Sequence, residues 1–348
     1  MDRKITKVID VGGVKIGGGN RITVQSMCNV DTRNAAQVIE QIKGLYNAGC
    51  NIVRLAVPDE KAAEAFSKIC SSSPIPVVAD IHFDYRLALM CAENGAAKIR
   101  INPGNIGDEN RVKEVADKCR KYKIPIRIGV NLGSIEKETE KKYGRTAKAM
   151  VESAMEHVRL LNKYDFDDIA LSLKASDVEK TVQAYRMISE TTNYPLHVGV
   201  TEAGTLYGGL IKSSAGIGAL LLDGIGDTIR VSLTADPVEE PKAGITLLKA
   251  LGIRKEGVNF VSCPSCGRCK INLVEIANKV QDALFNVDKN ITVAVMGCVV
   301  NGPGEAKDAD IGIAGGDGCA VLFKKGETVR KIAEENIVDE LLREIGEI

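Results

Sequence analysis

The feature that most constrains this chain is a rhythm. Between residues 21 and 252 a short β-branched run gives way to a run with apolar residues near i, i+3, i+4 and i+7, and the pair repeats. The strand candidates are ITVQSM (22–27), NIVRLAV (51–57), PVVADIH (76–82), AKIRINP (97–103), PIRIGVN (125–131), IALSLKA (169–175), HVGVTEA (197–203) and TIRVSLT (228–234). Amphipathic segments such as NAAQVIEQIKGLYNAG, RVKEVADKCRKY and AKAMVESAMEHVRLLNKY lie between them. Eight such units over about 230 residues predict a (β/α)8 barrel of the TIM type. A doubly wound open sheet is the alternative, but no G-x-G-x-x-G turn follows the first strand. The opening VIDVGGVKIGGGN predicts a small hairpin across the barrel bottom. The rhythm breaks at IRKEG (253–257). A cysteine loop (262–270), the helix INLVEIANKVQDALF, strands at ITVAVMG, IGIAGG and AVLFKKG, and a last helix VRKIAEENIVDELLREI then predict a smaller α+β unit. The expected division is a barrel over 1–253 and an α+β domain over 257–348.

Composition narrows the function. Lys plus Arg and Asp plus Glu both number 46, so no global basic excess supports nucleic-acid binding. No apolar run approaches a membrane span, and the N-terminus lacks an apolar export core. The expectation is a soluble cytoplasmic protein without a membrane partner. Its cysteines should then be mostly reduced. Cys28, Cys50, Cys70, Cys91, Cys119 and Cys319 are scattered and read as small core residues. Cys263, Cys266, Cys269 and Cys298 are not scattered.

In a barrel of this kind chemistry sits at the C-terminal strand ends. There the sequence places Arg54; Asp80 and His82; Arg100 and Asn102; Arg127 and Asn131; Lys174; Glu202; and Arg230 and Ser232. Five of these are cations set in apolar strand sequence (IVRLA, KIRIN, PIRIG, SLKAS, TIRVS). An unpaired buried cation costs several kcal/mol. Asp80 and Glu202 could neutralise two of them as internal ion pairs, and an anionic ligand must meet the others. Arginine forks suit phosphate oxygens, and this many cations suggest a diphosphate. Lys174 could alternatively serve as a Schiff-base lysine in a phospho-sugar lyase. His157 and His197 read as structural.

The run SCPSCGRCK carries Cys263, Cys266 and Cys269 at C-x2-C-x2-C spacing, with Leu273 where a bacterial ferredoxin run would have its fourth cysteine. Downstream, MGCVVNGPGEA offers Cys298 and Glu305. Three thiolates with one oxygen ligand fit a [4Fe–4S] cluster whose fourth iron is weakly held. A structural zinc on Cys263, Cys266, Cys269 and Cys298 is the competing reading.

SCPSCGR followed by MGCVVNGPGEA, with VQSM, RINPGN, GVNLGS, HVGVTEAG, IKSSAGIGALL and DTIRVSLTADP in the barrel, strongly resembles the 4-hydroxy-3-methylbut-2-enyl diphosphate synthase family over essentially the whole chain. The resemblance implies the compact bacterial form, lacking the extra domain of plant-type members. It implies a [4Fe–4S] cluster on Cys263, Cys266, Cys298 and Glu305, with Cys269 outside the ligand set. It implies diphosphate contacts at Arg54, Arg100, Arg127, Lys174 and Arg230, and further substrate contacts at His82, Asn131, Glu202 and Ser232. Glu202 and Glu305 are the expected catalytic carboxylates, Glu305 as an exchangeable ligand. The implied substrate is the cyclic diphosphate 2-C-methyl-D-erythritol 2,4-cyclodiphosphate, with electrons from ferredoxin or flavodoxin. A homodimer that shares its sites between subunits is implied as well.

Overall fold

The computed structural model describes residues 2–106, 109–285, 287–299 and 306–347. The chain divides into two units, residues 1–251 and 252–348, each with its own sheet. In the first, β1 (Ile9–Val11) and β2 (Val14–Ile16) form an antiparallel hairpin. Eight parallel strands follow: β3 (Thr23–Met27), β4 (Ile52–Ala56), β5 (Val77–Asp80), β6 (Lys98–Ile101), β7 (Ile126–Asn131), β8 (Ile169–Lys174), β9 (His197–Val198) and β10 (Thr228–Ile229). They lie side by side in the order β8-β7-β6-β5-β4-β3-β10-β9. A parallel bridge from Leu171 to Leu196, with the Leu171 N–H donating to the Pro195 carbonyl at 2.9 Å, joins β8 to β9 and closes the barrel.

The eight expected strands are all present, but the last two keep only two ladder residues each. The segments beyond them leave the regular ladder at Gly199, whose backbone lies so near the Arg230 carbonyl that a Cβ would stand 2.6 Å from it. Helices take over after the strands because capping side chains start them. Asn34, Asp59, Asp84, Thr146 and Asp177 each accept a first-turn backbone N–H. Each helix then turns one apolar stripe to the sheet, such as Val38, Ile42 and Leu45 on Ala35–Asn47. Cys50 and Cys119 belong to this layer, and burial pushes their thiols up to about 12. The hairpin packs Ile9, Val11 and Ile16 on Ile52, Val78 and Ala170, so it seals the N-terminal end of the barrel as expected. The C-terminal end is left for a site. Among the described residues no helix is long and apolar enough to cross a membrane.

The second unit is a five-stranded sheet in the order β11 (Asn259–Ser262), β12 (Thr292–Met296), β13 (Ile311–Gly316), β14 (Cys319–Lys324), β15 (Glu327–Ala333). The first three strands are parallel and the last three antiparallel. Strand periodicity sorts β12 cleanly. Val293 and Val295 join a core with Ile276, Val280 and Leu284 of the helix Leu273–Leu284 and Leu341 and Ile345 of the helix Ile337–Glu347. Ala294 and Met296 join Ala314 and Phe323 on the other face. Two sequence expectations fail here. The last helix starts only at Ile337, because Glu327–Ala333 pairs with β14 as a strand. Its signal is the turn: Lys325 and Gly326 both have positive φ (49° and 81°), as a two-residue type I′ hairpin requires. Strand β11 also went unforeseen, since it lies mostly exposed at a sheet edge and shows no apolar alternation.

Candidate functional site

Strand register decides which side chains enter the barrel. Arg54 lies opposite Met27, Asp80 opposite Arg100, Arg100 opposite Arg127, and Lys174 opposite Asn131. Arg127 Nη1 donates to Gln25 Oε1 at 3.3 Å. Strands β7 and β3 are not neighbours, so this contact crosses the interior. Asp80 is the hub: it accepts from Arg100 Nη1 at 3.0 Å and lies 3.4 Å from Arg54 Nε and 3.6 Å from His82 Nε2. Burial alone would push the Asp80 carboxyl up, but Arg54, His82 and Arg100 hold it well below the usual carboxylate range.

The second interior acid is not Glu202. That residue is exposed at φ 51° and pairs with no cation among the described residues. The acid is Glu240, buried in the first turn of the helix Glu239–Ala250. It takes Arg230 in a fork, Nε to Oε2 at 3.0 Å and Nη2 to Oε1 at 3.1 Å, and also accepts from Ser26 Oγ at 2.8 Å and the Leu233 N–H at 3.2 Å. Sequence reasoning missed it because a glutamate in a first helical turn reads as a dipole partner. Only the closed barrel brings that turn against β3 and β10.

Lys98 was also missed. It sits two residues before Arg100 on the same face of β6, wholly buried, and its Nζ has no hydrogen-bond partner. The i, i+2 spacing in KIRI was the available signal. With it the interior holds Arg54, Lys98, Arg100, Arg127, Lys174 and Arg230 against Asp80 and Glu240. The excess is physically expensive. Burial, partly offset by Asp80, pushes Arg54 down to about 10. Burial, then Arg230 and Arg127, push Lys174 well below the lysine range. Burial, then Arg54 and Arg100, act the same way on Arg127. A guanidinium keeps its proton in a protein, so the cost at Arg127 becomes affinity for an anion. Two glycines make room for these long side chains: a Cβ at Gly129 would meet Arg100 Nε at 2.5 Å, and one at Gly199 would meet Lys174 Nζ at 2.8 Å.

At the C-terminal mouth a cavity of about 340 Å³ brings together Asn131, Lys174 and Glu202, with Ser134, Thr201 and the unforeseen, exposed Arg145. His82 is exposed and Ser232 half-buried. Asn102 is buried just beyond β6. His157 lies outside the site, buried against Glu136 Oε1 at 2.7 Å. His197 is wholly buried inside the barrel with Nδ1 3.4 Å from Thr228 Oγ1, and burial and the surrounding cations keep it neutral.

In the second unit Cys263 follows β11 and Cys298 follows β12, so both leave the same edge of adjacent parallel strands. The Gly297 N–H donates to Cys263 Sγ at 3.2 Å, and the Lys270 N–H donates to the Gly297 carbonyl at 3.2 Å. These bonds pin the cysteine loop to the Cys298 strand end. Gly297 is required there, since a Cβ would stand 2.8 Å from Cys269 Sγ. Cys269 itself packs on the core and donates to the Ile271 carbonyl at 3.2 Å. Cys266 is exposed, and hydrogen bonds from the backbone and side chain of Arg268 lower its thiol. Among the described residues no three metal-ligating side chains converge. Glu305 lies outside the described residues. The donors nevertheless fit an iron–sulfur group in kind: soft thiols on two loops fastened to one strand end, with a backbone N–H already aimed at a sulfur.

Comparison with known proteins agrees over both units. Residues 6–245 match the GcpE TIM-barrel domain and residues 259–347 the GcpE protein C-terminal domain. The chain is 58% identical, over 99% of both chains, to a Clostridium acetobutylicum protein named 4-hydroxy-3-methylbut-2-en-1-yl diphosphate synthase (flavodoxin). It is 59% identical to the protein of the same name from Ruminiclostridium cellulolyticum, over 100% of this chain and 99% of that one. The Geobacter sulfurreducens protein of that name is 57% identical, over 99% and 98%. Among solved structures the Yersinia pestis dihydropteroate synthase aligns with TM-score 0.51 at 13% identity, covering 70% of this chain and 97% of that one. That likeness concerns the fold alone.

Proposed function

The chain belongs to the GcpE family, and from that premise we propose that it carries out the reaction for which its curated relatives are named. It is an oxidoreductase of isoprenoid biosynthesis. The reaction opens 2-C-methyl-D-erythritol 2,4-cyclodiphosphate reductively and gives (E)-4-hydroxy-3-methylbut-2-enyl diphosphate and water. The observation that carries this reading is the barrel interior. Four arginines and two lysines face two carboxylates among the described residues, and both carboxylates are already engaged by arginines. Such a lining suits a ligand with two phosphoryl groups.

In this reading the barrel unit binds the diphosphate. Arg54, Arg100, Arg127, Lys174 and Arg230 hold phosphate oxygens, while His82, Asn131, Glu202 and Ser232 orient the hydroxyl-bearing carbons. Glu202, exposed beside Lys174 in the mouth cavity, is free to hold or move a proton at a substrate hydroxyl. Cys263, Cys266 and Cys298, with Glu305, would hold a [4Fe–4S] cluster in the second unit. When bound, that group supplies electrons one at a time. The cysteine loop's part is to fasten two thiols at one strand end. Reduced flavodoxin, named in the relatives, is the donor, with ferredoxin an alternative. The active species is a cytoplasmic homodimer whose sites draw on both subunits. Lys174 acts here as a phosphate ligand; a phospho-sugar lyase reading has no counterpart among these relatives.

Anaerobic reconstitution followed by incubation with the cyclic diphosphate and reduced flavodoxin tests the proposal. The expected outcome is the alkenyl diphosphate and about four irons and four sulfides per chain. Glu305→Gln should keep the fold and lose turnover. A fully loaded protein that leaves the cyclic diphosphate unchanged would falsify the reading.

A further inference from the structure

Lys98 is assigned no substrate contact in the reaction proposed above, yet it is buried in the barrel interior beside the arginines that are. Strand geometry sets it about 6.6 Å below Arg100 on the inward face of β6. It is wholly buried and its Nζ has no hydrogen-bond partner. The groups around it are Arg54 from β4, Arg100 from its own strand, Arg127 from β7, and the neutral His197 from β9. The acids are committed elsewhere. Asp80 is held by Arg54, Arg100 and His82, and Glu240 by Arg230, Ser26 and the Leu233 N–H. A buried lysine ordinarily has an acid partner. This one lies among three cations, and burial, Arg127 and Arg54 together push its ammonium well below the usual lysine range.

The chemistry supplies a use for such a group; this step rests on the reaction proposed above. The cyclic diphosphate carries one ionised oxygen on each phosphorus and is a dianion. Reduction breaks the C2–O bond to phosphate and the C3–OH bond and forms the C2=C3 double bond. Two electrons enter from reduced flavodoxin, and the departing hydroxide takes one proton to become water. Dianion, two electrons and one proton therefore become trianion and water. The barrel holds one more negative charge after the reaction than before it. We propose that Lys98 answers that charge: it lies uncharged beneath the cyclic substrate and takes up a proton as the diphosphate end is released. Lys98 is then a positioning residue that does not touch the substrate. It spares the barrel one more buried cation while the dianion is bound and provides one for the trianion.

The test is calorimetric and needs no turnover. The oxidised holoenzyme is titrated anaerobically near pH 8, once with the cyclic diphosphate and once with the alkenyl diphosphate. Each titration is repeated in two buffers of different ionisation enthalpy, which counts the protons taken up. The alkenyl diphosphate should bring in about one proton more than the cyclic one. In Lys98→Met the excess should vanish, with affinity for the alkenyl diphosphate down about tenfold and affinity for the cyclic one little changed. Equal proton uptake for both ligands by the unmodified enzyme overturns the inference without recourse to any variant. So does a Lys98→Met or Lys98→Gln enzyme that keeps the excess. Failure of both ligands to bind would instead strike at the proposed reaction.

Discussion

Glu240 does more for the barrel than its place in a helix suggests. Its carboxylate carries the Arg230 fork, the Ser26 hydroxyl and a loop N–H, all buried or nearly so. Glu240→Gln removes the charge and leaves Arg230 in an interior already rich in cations. Breaking such a pair costs about 3 kcal/mol, so the barrel's urea midpoint should fall accordingly, and binding of the cyclic diphosphate should recover part of the loss. His197 sets a different signature. Burial keeps its imidazole neutral, so its folded pKa lies below the ordinary 6.5. Its contribution to stability is complete above that pH and is lost as pH falls through it. Asp80, whose carboxyl is held below the ordinary 3.8, gives up its contribution to stability only as pH falls below 3.8. Between pH 6.5 and 5.5 the barrel should therefore lose about 1 kcal/mol, and His197→Gln should flatten the slope. A wild-type urea midpoint that does not move across this interval would show that His197 titrates normally.

At the level of elements, the two glycines in the barrel wall divide packing from binding. At Gly129 a methyl group would meet Arg100 Nε, the end of a long side chain that can move. Gly129→Ala should fold and lose about tenfold in affinity for the cyclic diphosphate, because Arg100 shifts at Asp80 while Arg54 and His82 still hold that carboxylate. At Gly199 a methyl group would meet the Arg230 carbonyl at 2.6 Å, a backbone atom that cannot yield alone. Gly199→Ala should cost about 1–3 kcal/mol of stability by thermal or urea unfolding. Equal behaviour of the two variants would argue against this division. The same elements show what could be read in advance. The barrel was legible because strand and helix periods alternate and because apolar strands are a costly place for IVRLA or PIRIG. The partner of Arg230 was not, since Glu240 meets it only when the helix start folds over β10. Strand β15 was hidden by helix-forming residues in VRKIAEEN, and tertiary pairing with β14 overrode that local preference. The cysteine spacing pointed to a metal, but only pairing of β11 with β12 shows that Cys263 and Cys298 leave neighbouring strand ends.

At the scale of the whole molecule the chemistry is divided. The cations that would hold the diphosphate lie in residues 1–251, and the thiols that would carry electrons lie in residues 252–348. On the proposed reaction turnover draws on one barrel and one cysteine loop, and these can come from one chain or from two. Variants with one defect per unit separate the cases. Arg127→Ala damages the barrel alone and Cys298→Ala the thiol set alone, and each should be inactive by itself. If a site joins units of different subunits, a mixed dimer has one site with both defects and one with neither. Random reassortment of equal amounts makes about half the dimers mixed, so about a quarter of wild-type turnover should return. If each site is built within one chain, every site keeps a defect and mixing restores nothing. Chains exchanged through mild denaturation or co-expressed with different tags would serve, and activity should follow the doubly tagged fraction.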